Sequence, residues 1–103
     1  MPTRKDDQTK KARETLRRAL ANLQDAAKEA TDRDRASITA AIAEVNTAIA
    51  VLPDAATVKA HCNAALNVAV VQDTYPADKA IVGLSVQQAR FEITNALTVQ
   101  LRR

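Results

Sequence analysis

Only one pair of residues in this chain could combine a nucleophile with a general base: the adjacent His61 and Cys62, each the single residue of its type. Neighbouring positions on a helix point about 100° apart, so these two side chains cannot hydrogen-bond to each other across a pocket. A zinc site needs four nitrogen or sulfur ligands, and the chain offers one histidine and one cysteine. We therefore expect a half-buried histidine beside a core cysteine, and no metal site.

The carboxylates also lack the arrangement that acid/base catalysis requires. Asp32, Asp34, Asp54 and Asp78 fall at predicted helix starts, where the helix dipole favours negative charge. The single glycine, Gly83, excludes the glycine-rich phosphate-binding loops of Rossmann and P-loop proteins. The sequence therefore predicts no catalytic residue, no cofactor and no small-molecule substrate, and we expect that the protein is not an enzyme.

The elements that would position any site are helices. The chain has 103 residues, which is enough for one domain, and 22 of them are alanine, the residue with the highest helix propensity. Alternating β-branched and aromatic residues, which would indicate strands, occur nowhere over more than a few positions. We predict an all-α protein without a β-sheet, with close helix packing because alanine supplies much of the core.

Apolar spacing and capping residues divide the chain into a basic N-terminal tail and one helical domain. The tail covers residues 1–8 and the domain 9–103. Pro53 ends the second predicted helix, Asp54 caps the third, and Gly83 ends a short turn before a capping box that begins at Ser85. The predicted helices span about 9–30, 32–52, 54–72 and 85–101.

The first two helices carry matched seams that step by four and three residues, and a short turn at Thr31 joins them. This combination predicts an antiparallel helical hairpin, extended by the other two helices to a four-helix bundle. The seam residues expected to be almost fully buried against one another are Leu20, Leu23, Ile42, Val45 and Ile49.

Helix 2 is apolar on more than one side. Opposite its seam it presents Ala36, Ala43 and Ala50, and helix 4 presents Phe91 and Val99 outside its own apolar stripe. Two interpretations remain open: helices 2 and 3 form the centre of the monomer, or these five residues form an interface with another copy or another protein.

A row of cations lies along one edge of helix 1, beside its leucines: Lys10, Arg13, Arg17 and Lys28. Such a row is either a solvated face or a surface that binds a phosphate backbone or an acidic protein. No aromatic residues alternate with it for base stacking, and no known nucleic-acid-binding motif accompanies it.

These observations favour a non-enzymatic structural or interaction protein, a helical subunit of a homo-oligomer or of a larger assembly such as a virion. The alternative is a small regulator or inhibitor that binds nucleic acid, or a complex that handles nucleic acid, through the basic edge of helix 1. The longest uncharged run, residues 60–72, is too short and too polar to span a membrane. One cysteine excludes a disulfide within the chain, and no signal peptide opens it, so we expect a cytoplasmic location or a particle assembled in the cytoplasm.

Overall fold

The structure, a computed structural model, describes residues 4–52, 54–71 and 75–100. Within them the chain forms four α-helices and no strand. Helix α4 is preceded by a 3₁₀ turn, Ala77–Lys79, and continues into a π-helical turn, Ala96–Gln100. The four helices are α1 (Arg4–Glu29), α2 (Asp32–Val51), α3 (Ala55–Ala65) and α4 (Ile81–Asn95). The predicted all-α class is confirmed.

The turn between α1 and α2 is held by side chains of the first turn of α2. Thr31 caps α2 by accepting a hydrogen bond from the backbone N–H of Asp34 at 3.4 Å. The guanidinium of Arg35 donates to the carbonyls of Ala27 (3.0 Å) and Ala30 (2.8 Å). These carbonyls lie at the end of α1 and have few partners within the helix, so Arg35 caps α1 while it begins α2.

The bundle is built around α1, which packs against both α2 and α4, while α3 packs mainly against α2. Ion pairs show that α4 runs antiparallel to α1: Glu29 lies beside Lys79 (3.7 Å), and Arg18 beside Glu92 (3.0 Å). The result is a rod with extents of 50 × 20 × 18 Å, and the predicted hairpin and helical bundle are confirmed.

The buried seams of α1 and α2 are rotated by one position from the predicted ones. Leu23 and Val45 are fully buried as expected, but Leu20, Ile42 and Ile49 are only partly buried. Each of these helices packs against two neighbouring helices. The residues that face between the two neighbours are therefore the most deeply buried, and small residues there let the helices approach closely. Alanine therefore occupies many of the buried positions: Ala12, Ala19, Ala26, Ala41 and Ala48.

Helix α3 is shorter than predicted, because it ends at Ala65 and not near Gln72, a residue outside the described part of the chain. The N–H groups of residues 66–68 still bond to carbonyls of α3, and beyond them the backbone bonds to side chains of other helices. The N–H of Ala69 donates to Ser37 Oγ (3.0 Å), and the carbonyl of Val68 accepts from Arg90 (3.1 Å). These tertiary bonds replace the helical ones and let Val68 enter the core.

Helices α1 and α4 both begin earlier than predicted. Helix α1 begins at Arg4, so the helix includes residues 4–8 of the predicted tail, while residues 1–3 lie outside the described part of the chain. Helix α4 begins at Ile81 and includes Gly83 and Ser85, which are buried in its first turns and do not end or cap a helix. A glycine without a Cβ lets a neighbouring segment approach closely at this point. The predicted end of this helix at Leu101 also lies outside the described residues.

Candidate interaction surface on helix 4

One face of α4 and its π-helical extension exposes four large apolar side chains. Their exposed fractions are 50% for Ile81, 57% for Leu84, 64% for Phe91 and 58% for Val99. Ile81, Leu84 and Phe91 are separated by three and seven residues, which places them along one stripe of a helix. The core residues of α4, such as Ala89 and Ile93, lie on the opposite side and are fully buried. We call these four exposed residues the α4 stripe.

The α4 stripe is uncharged, and the two charged side chains of α4 are engaged within the chain. Arg90 donates to the carbonyl of Val68 at 3.1 Å. Glu92, with a side chain only 12% exposed, accepts from Arg18 at 3.0 Å and from the amide of Gln88 at 3.0 Å. The charged side chains of α4 are therefore directed toward α1 and the α3–α4 connection, and the stripe itself carries no charge.

The other predicted interface residues lie on a different surface. Ala36, Ala43 and Ala50 are all exposed on α2. We call these three alanines the alanine face. Helix α4 packs against α1 and not against this face of α2, so the alanine face lies apart from the α4 stripe. Phe91 and Val99, by contrast, share one surface. The alanine face is smooth and uncharged, but it carries no side chain large enough to fill a pocket in a partner.

The predicted basic edge is a solvent-facing row on α1. Lys10, Arg17 and Lys28 are exposed and Arg13 is half-buried. Lys28 lies 3.7 Å from Asp25, and both side chains are largely exposed, so this pair contributes little. Eleven residues, about 16 Å of helix, separate Arg17 from Lys28, so the row is not a continuous cationic stripe.

His61 and Cys62 do not act on each other. His61 Nδ1 lies 2.8 Å from Oε2 of Glu44, which ties α3 to α2. Cys62 is fully buried in the core, and burial raises the pKa of its thiol to about 11, so it is a poor nucleophile at neutral pH. This arrangement supports a structural role for both residues.

An open cleft between α2 and the end of α3 lies beside this histidine. Its volume is about 210 Å³, below the roughly 300 to 1,000 Å³ that is usual for small-molecule sites. Ser37 lines it, but its hydroxyl already accepts from the backbone of Ala69. Among the described residues, no group of three histidine, cysteine or acidic side chains is placed to hold a metal ion. No helix in that part of the chain is both long and apolar enough to cross a bilayer.

A buried carboxylate, Asp34, organises the connection between α3 and α4. Asp34 is 3% exposed, and its Oδ2 accepts hydrogen bonds from the hydroxyl of Tyr75 (2.5 Å) and the N–H of Val71 (3.2 Å). The same hydroxyl accepts from the N–H of Thr31 at 3.1 Å. We call these residues the Asp34–Tyr75 latch. The position of Asp34 at a predicted helix start gave no indication that its side chain would be buried.

Sequence reasoning also missed Ile81 and Leu84 as surface residues. It ended a short turn at Gly83 and began the last helix at about residue 85, so neither Ile81 nor Leu84 was aligned with Phe91. The three-residue step from Ile81 to Leu84 and the seven-residue step to Phe91 were the available signal.

The fold and this surface define an all-α helical bundle with one exposed apolar stripe. Comparison with family models, with curated proteins and with solved structures finds no match to this chain.

Proposed function

We propose that this protein is a non-enzymatic helical subunit that assembles with protein through the α4 stripe, either with copies of itself or within a larger complex such as a virion. The observation that carries the proposal is the alignment of three exposed apolar side chains on α4, Ile81, Leu84 and Phe91, with Val99 exposed on the π-helical turn that continues it. Scattered apolar residues are ordinary on a protein surface, whereas an aligned set on one helix is typical of a binding face. We place this assembly in the cytoplasm or in a particle formed there.

The size of the exposed apolar surface supports this proposal. Phe91 is 64% exposed, which corresponds to roughly 130 Å² of a side chain of about 200 Å². At about 25 cal/mol per Å², burying it contributes about 3 kcal/mol. Ile81, Leu84 and Val99 are each half or more exposed, and the same coefficient gives about 2 kcal/mol for each of them. The stripe therefore offers about 9 kcal/mol per chain before the cost of association is subtracted, and Phe91 supplies the largest single part.

A protein partner fits this surface better than a nucleic acid does. Phosphate binding depends on cations, and the stripe has none. The basic edge on α1 is interrupted and includes a lysine beside an aspartate. The buried cysteine, and the histidine paired with Glu44, give no reason to propose catalysis.

The test is quantitative co-purification of the tagged chain from its native host, with three proteins compared side by side: wild type, Phe91→Asp and Ala43→Asp. Both substitutions put a charge on an exposed position, one on the stripe and one on the alanine face of α2. We expect wild type and Ala43→Asp to retain a stoichiometric protein component, which is either another protein or a second copy of this chain. Phe91→Asp should lose that component, because an unpaired charge cannot be buried in the contact.

The proposal is wrong if wild-type chain purifies as a monomer without any stoichiometric protein. It is equally wrong if the component is retained by Phe91→Asp while circular dichroism shows all three proteins folded. Loss from Ala43→Asp alone would move the interface to α2.

A further inference from the structure

We propose that three cations on the N-terminal half of α1 bind the phosphate backbone of a double-stranded nucleic acid without reading its sequence. They are Lys10, Arg13 and Arg17, and we call them the α1 cation cluster. Three observations support the proposal, which goes beyond the assembly proposed above: the cations lie together at the α1–α2 edge, no carboxylate neutralises them there, and the surface around them has no large apolar side chain.

The fold places the α1 cation cluster on the side of α1 that faces α2. Arg13 lies two heptads before Ala27, so the two residues are on nearly the same side of the helix. The carbonyl of Ala27 accepts a hydrogen bond from Arg35 of α2 at 3.0 Å, which marks that side as the α2 side. Lys10 and Arg17 lie one turn before and one turn after Arg13. The three cations therefore occupy about 10 Å of helix along the α1–α2 edge.

Helix α4 packs on a different side of α1. Arg18 is turned about 140° from Arg13 around the helix, and its guanidinium bonds to Glu92 of α4 at 3.0 Å. The α1 cation cluster and the α4 stripe are therefore separate surfaces, and a nucleic acid and a protein could occupy them at the same time.

The α1 cation cluster has no neutralising carboxylate among the described residues. The ion pairs found there all involve other cations. Glu14 is exposed, but it is turned about 100° from Arg13, away from α2. Glu44 is the only acid in residues 36–51, and it lies 2.8 Å from His61 of α3. Like charges three and four residues apart repel each other on a helix, so a bound anion would relieve this repulsion.

The neighbouring flank of α2 is uncharged. Asn46 lies eleven residues, or about three turns, after Arg35 and is therefore on the same side of α2. It is also about as far from the α1–α2 turn as Arg17 is, so the two residues are level in the hairpin. Ala43 and Ala50 are exposed one turn before and one turn after Asn46. A phosphate backbone can approach these small side chains closely, and the Asn46 amide is a suitable donor to it.

The composition of this surface favours a nucleic acid over other anionic partners. Protein interfaces depend on apolar and aromatic anchors, yet the large exposed apolar side chains of the described residues are Val71 and the α4 stripe. A helix that binds a membrane surface inserts its apolar face, and the apolar face of α1 is buried in the bundle.

A duplex fits the cluster better than a single strand. Proteins that hold single strands stack the bases on aromatic side chains, and α1 and α2 have none. Each strand of a duplex carries a phosphate about every 3.4 Å, so 10 Å of backbone presents about three phosphates to the three cations.

Fluorescence anisotropy of a labelled DNA duplex of about 20 base pairs, titrated with the purified chain at several salt concentrations, tests the proposal. We expect a dissociation constant of about 10 µM at about 20 mM salt. Three phosphate contacts predict a slope of about −2.7 for the logarithm of affinity against the logarithm of salt, so affinity should fall roughly 80-fold by about 100 mM salt.

Two triple variants with the same loss of charge separate location from net charge. One replaces the α1 cation cluster by glutamine. The other replaces three exposed cations near the opposite end of the rod by glutamine: Lys28, Arg33 and Lys79. Each variant changes the net charge from +3 to 0. The cluster variant should bind at least ~30-fold more weakly at low salt, with a slope nearer zero than −1, whereas the control should stay within about threefold of wild type. Circular dichroism should show both variants to be as helical as wild type.

Several results would overturn the proposal. They are no binding by wild type at about 1 mM chain in about 20 mM salt, and equal weakening in the two triple variants when both are folded. Tighter binding to polyglutamate or to phosphatidylserine vesicles than to the duplex would also overturn it, because the partner would then be an acidic protein or a membrane. Phe91→Asp keeps the cluster and should bind the duplex nearly as wild type does, so failure of duplex binding leaves assembly through the α4 stripe standing.

Discussion

The Asp34–Tyr75 latch allows a sharp test of how the structure holds the connection between α3 and α4. Tyr75→Phe keeps the ring and removes only the hydroxyl. That hydroxyl donates to Oδ2 of Asp34 at 2.5 Å and accepts from the N–H of Thr31 at 3.1 Å. The substitution therefore removes one donor from a buried carboxylate and one acceptor from a backbone amide.

The two lost bonds do not contribute equally. Thr31 is exposed, so water can take the place of the hydroxyl at its N–H. Asp34 is 3% exposed, so its carboxylate keeps the N–H of Val71 but has little access to water. A hydrogen bond to a charged group contributes about 1.5 to 3 kcal/mol, and a neutral one that water can replace contributes much less. We expect Tyr75→Phe to lower the free energy of unfolding by about 2 kcal/mol.

Urea unfolding followed by far-ultraviolet circular dichroism measures this loss, at a protein concentration low enough to keep wild type and variant monomeric. A double-mutant cycle with Asp34→Asn isolates the pair, and the coupling energy should exceed about 1 kcal/mol. A Tyr75→Phe variant within about 0.5 kcal/mol of wild type would refute the reasoning, because it would mean that the carboxylate does not depend on this donor.

Two further predictions concern the core. Ile38 is fully buried, whereas Ile42 is only partly buried. Ile38→Ala should therefore lower the free energy of unfolding by about 2 to 5 kcal/mol, and Ile42→Ala should lower it distinctly less. Equal losses in urea unfolding would contradict the observed rotation of the α2 seam. Burial raises the pKa of the Cys62 thiol from 9.0 to about 11. The stabilisation that comes from keeping this thiol protonated is therefore complete below pH 9 and is lost as the pH rises to 11. Over that interval the free energy of unfolding should fall by about 2 to 3 kcal/mol. Cys62→Ala lacks this titration, so the stability difference between wild type and variant should narrow over that interval, and a constant difference would refute the assignment.

Much of the fold could be predicted from the sequence, because the signals were local. Alanine-rich helices, four-and-three spacing, and the Thr31 and Asp54 caps depend on residues within one or two turns of each other. Phe91 and Val99 could be placed outside the core in the same way, since a helical wheel needs only the period of the helix. These features follow from backbone geometry and hold before any tertiary contact forms.

The rotation of the seams could not be predicted, because it depends on where the neighbours lie. With α3 on one side of α2 and α1 on the other, Ala41 and Ala48 become the most buried line and Ile42 and Ile49 flank it. A hydrophobic pattern favours the larger residues for the centre of a seam. Packing favoured the smaller ones here, since they allow closer helix axes.

The end of α3 and the beginning of α4 were likewise decided by tertiary structure. Residues 66–71 have no helix-breaking residue, yet their backbone groups bond to Ser37, Asp34 and Arg90, which lie far away in sequence. Helix α4 begins at Ile81 with Gly83 buried in its first turn, and its helical period places Ile81 and Leu84 in line with Phe91. The sequence by itself determined that this protein is helical and that Phe91 lies outside the core; only the packing of α4 in the bundle decided that Ile81, Leu84 and Phe91 share one helical stripe.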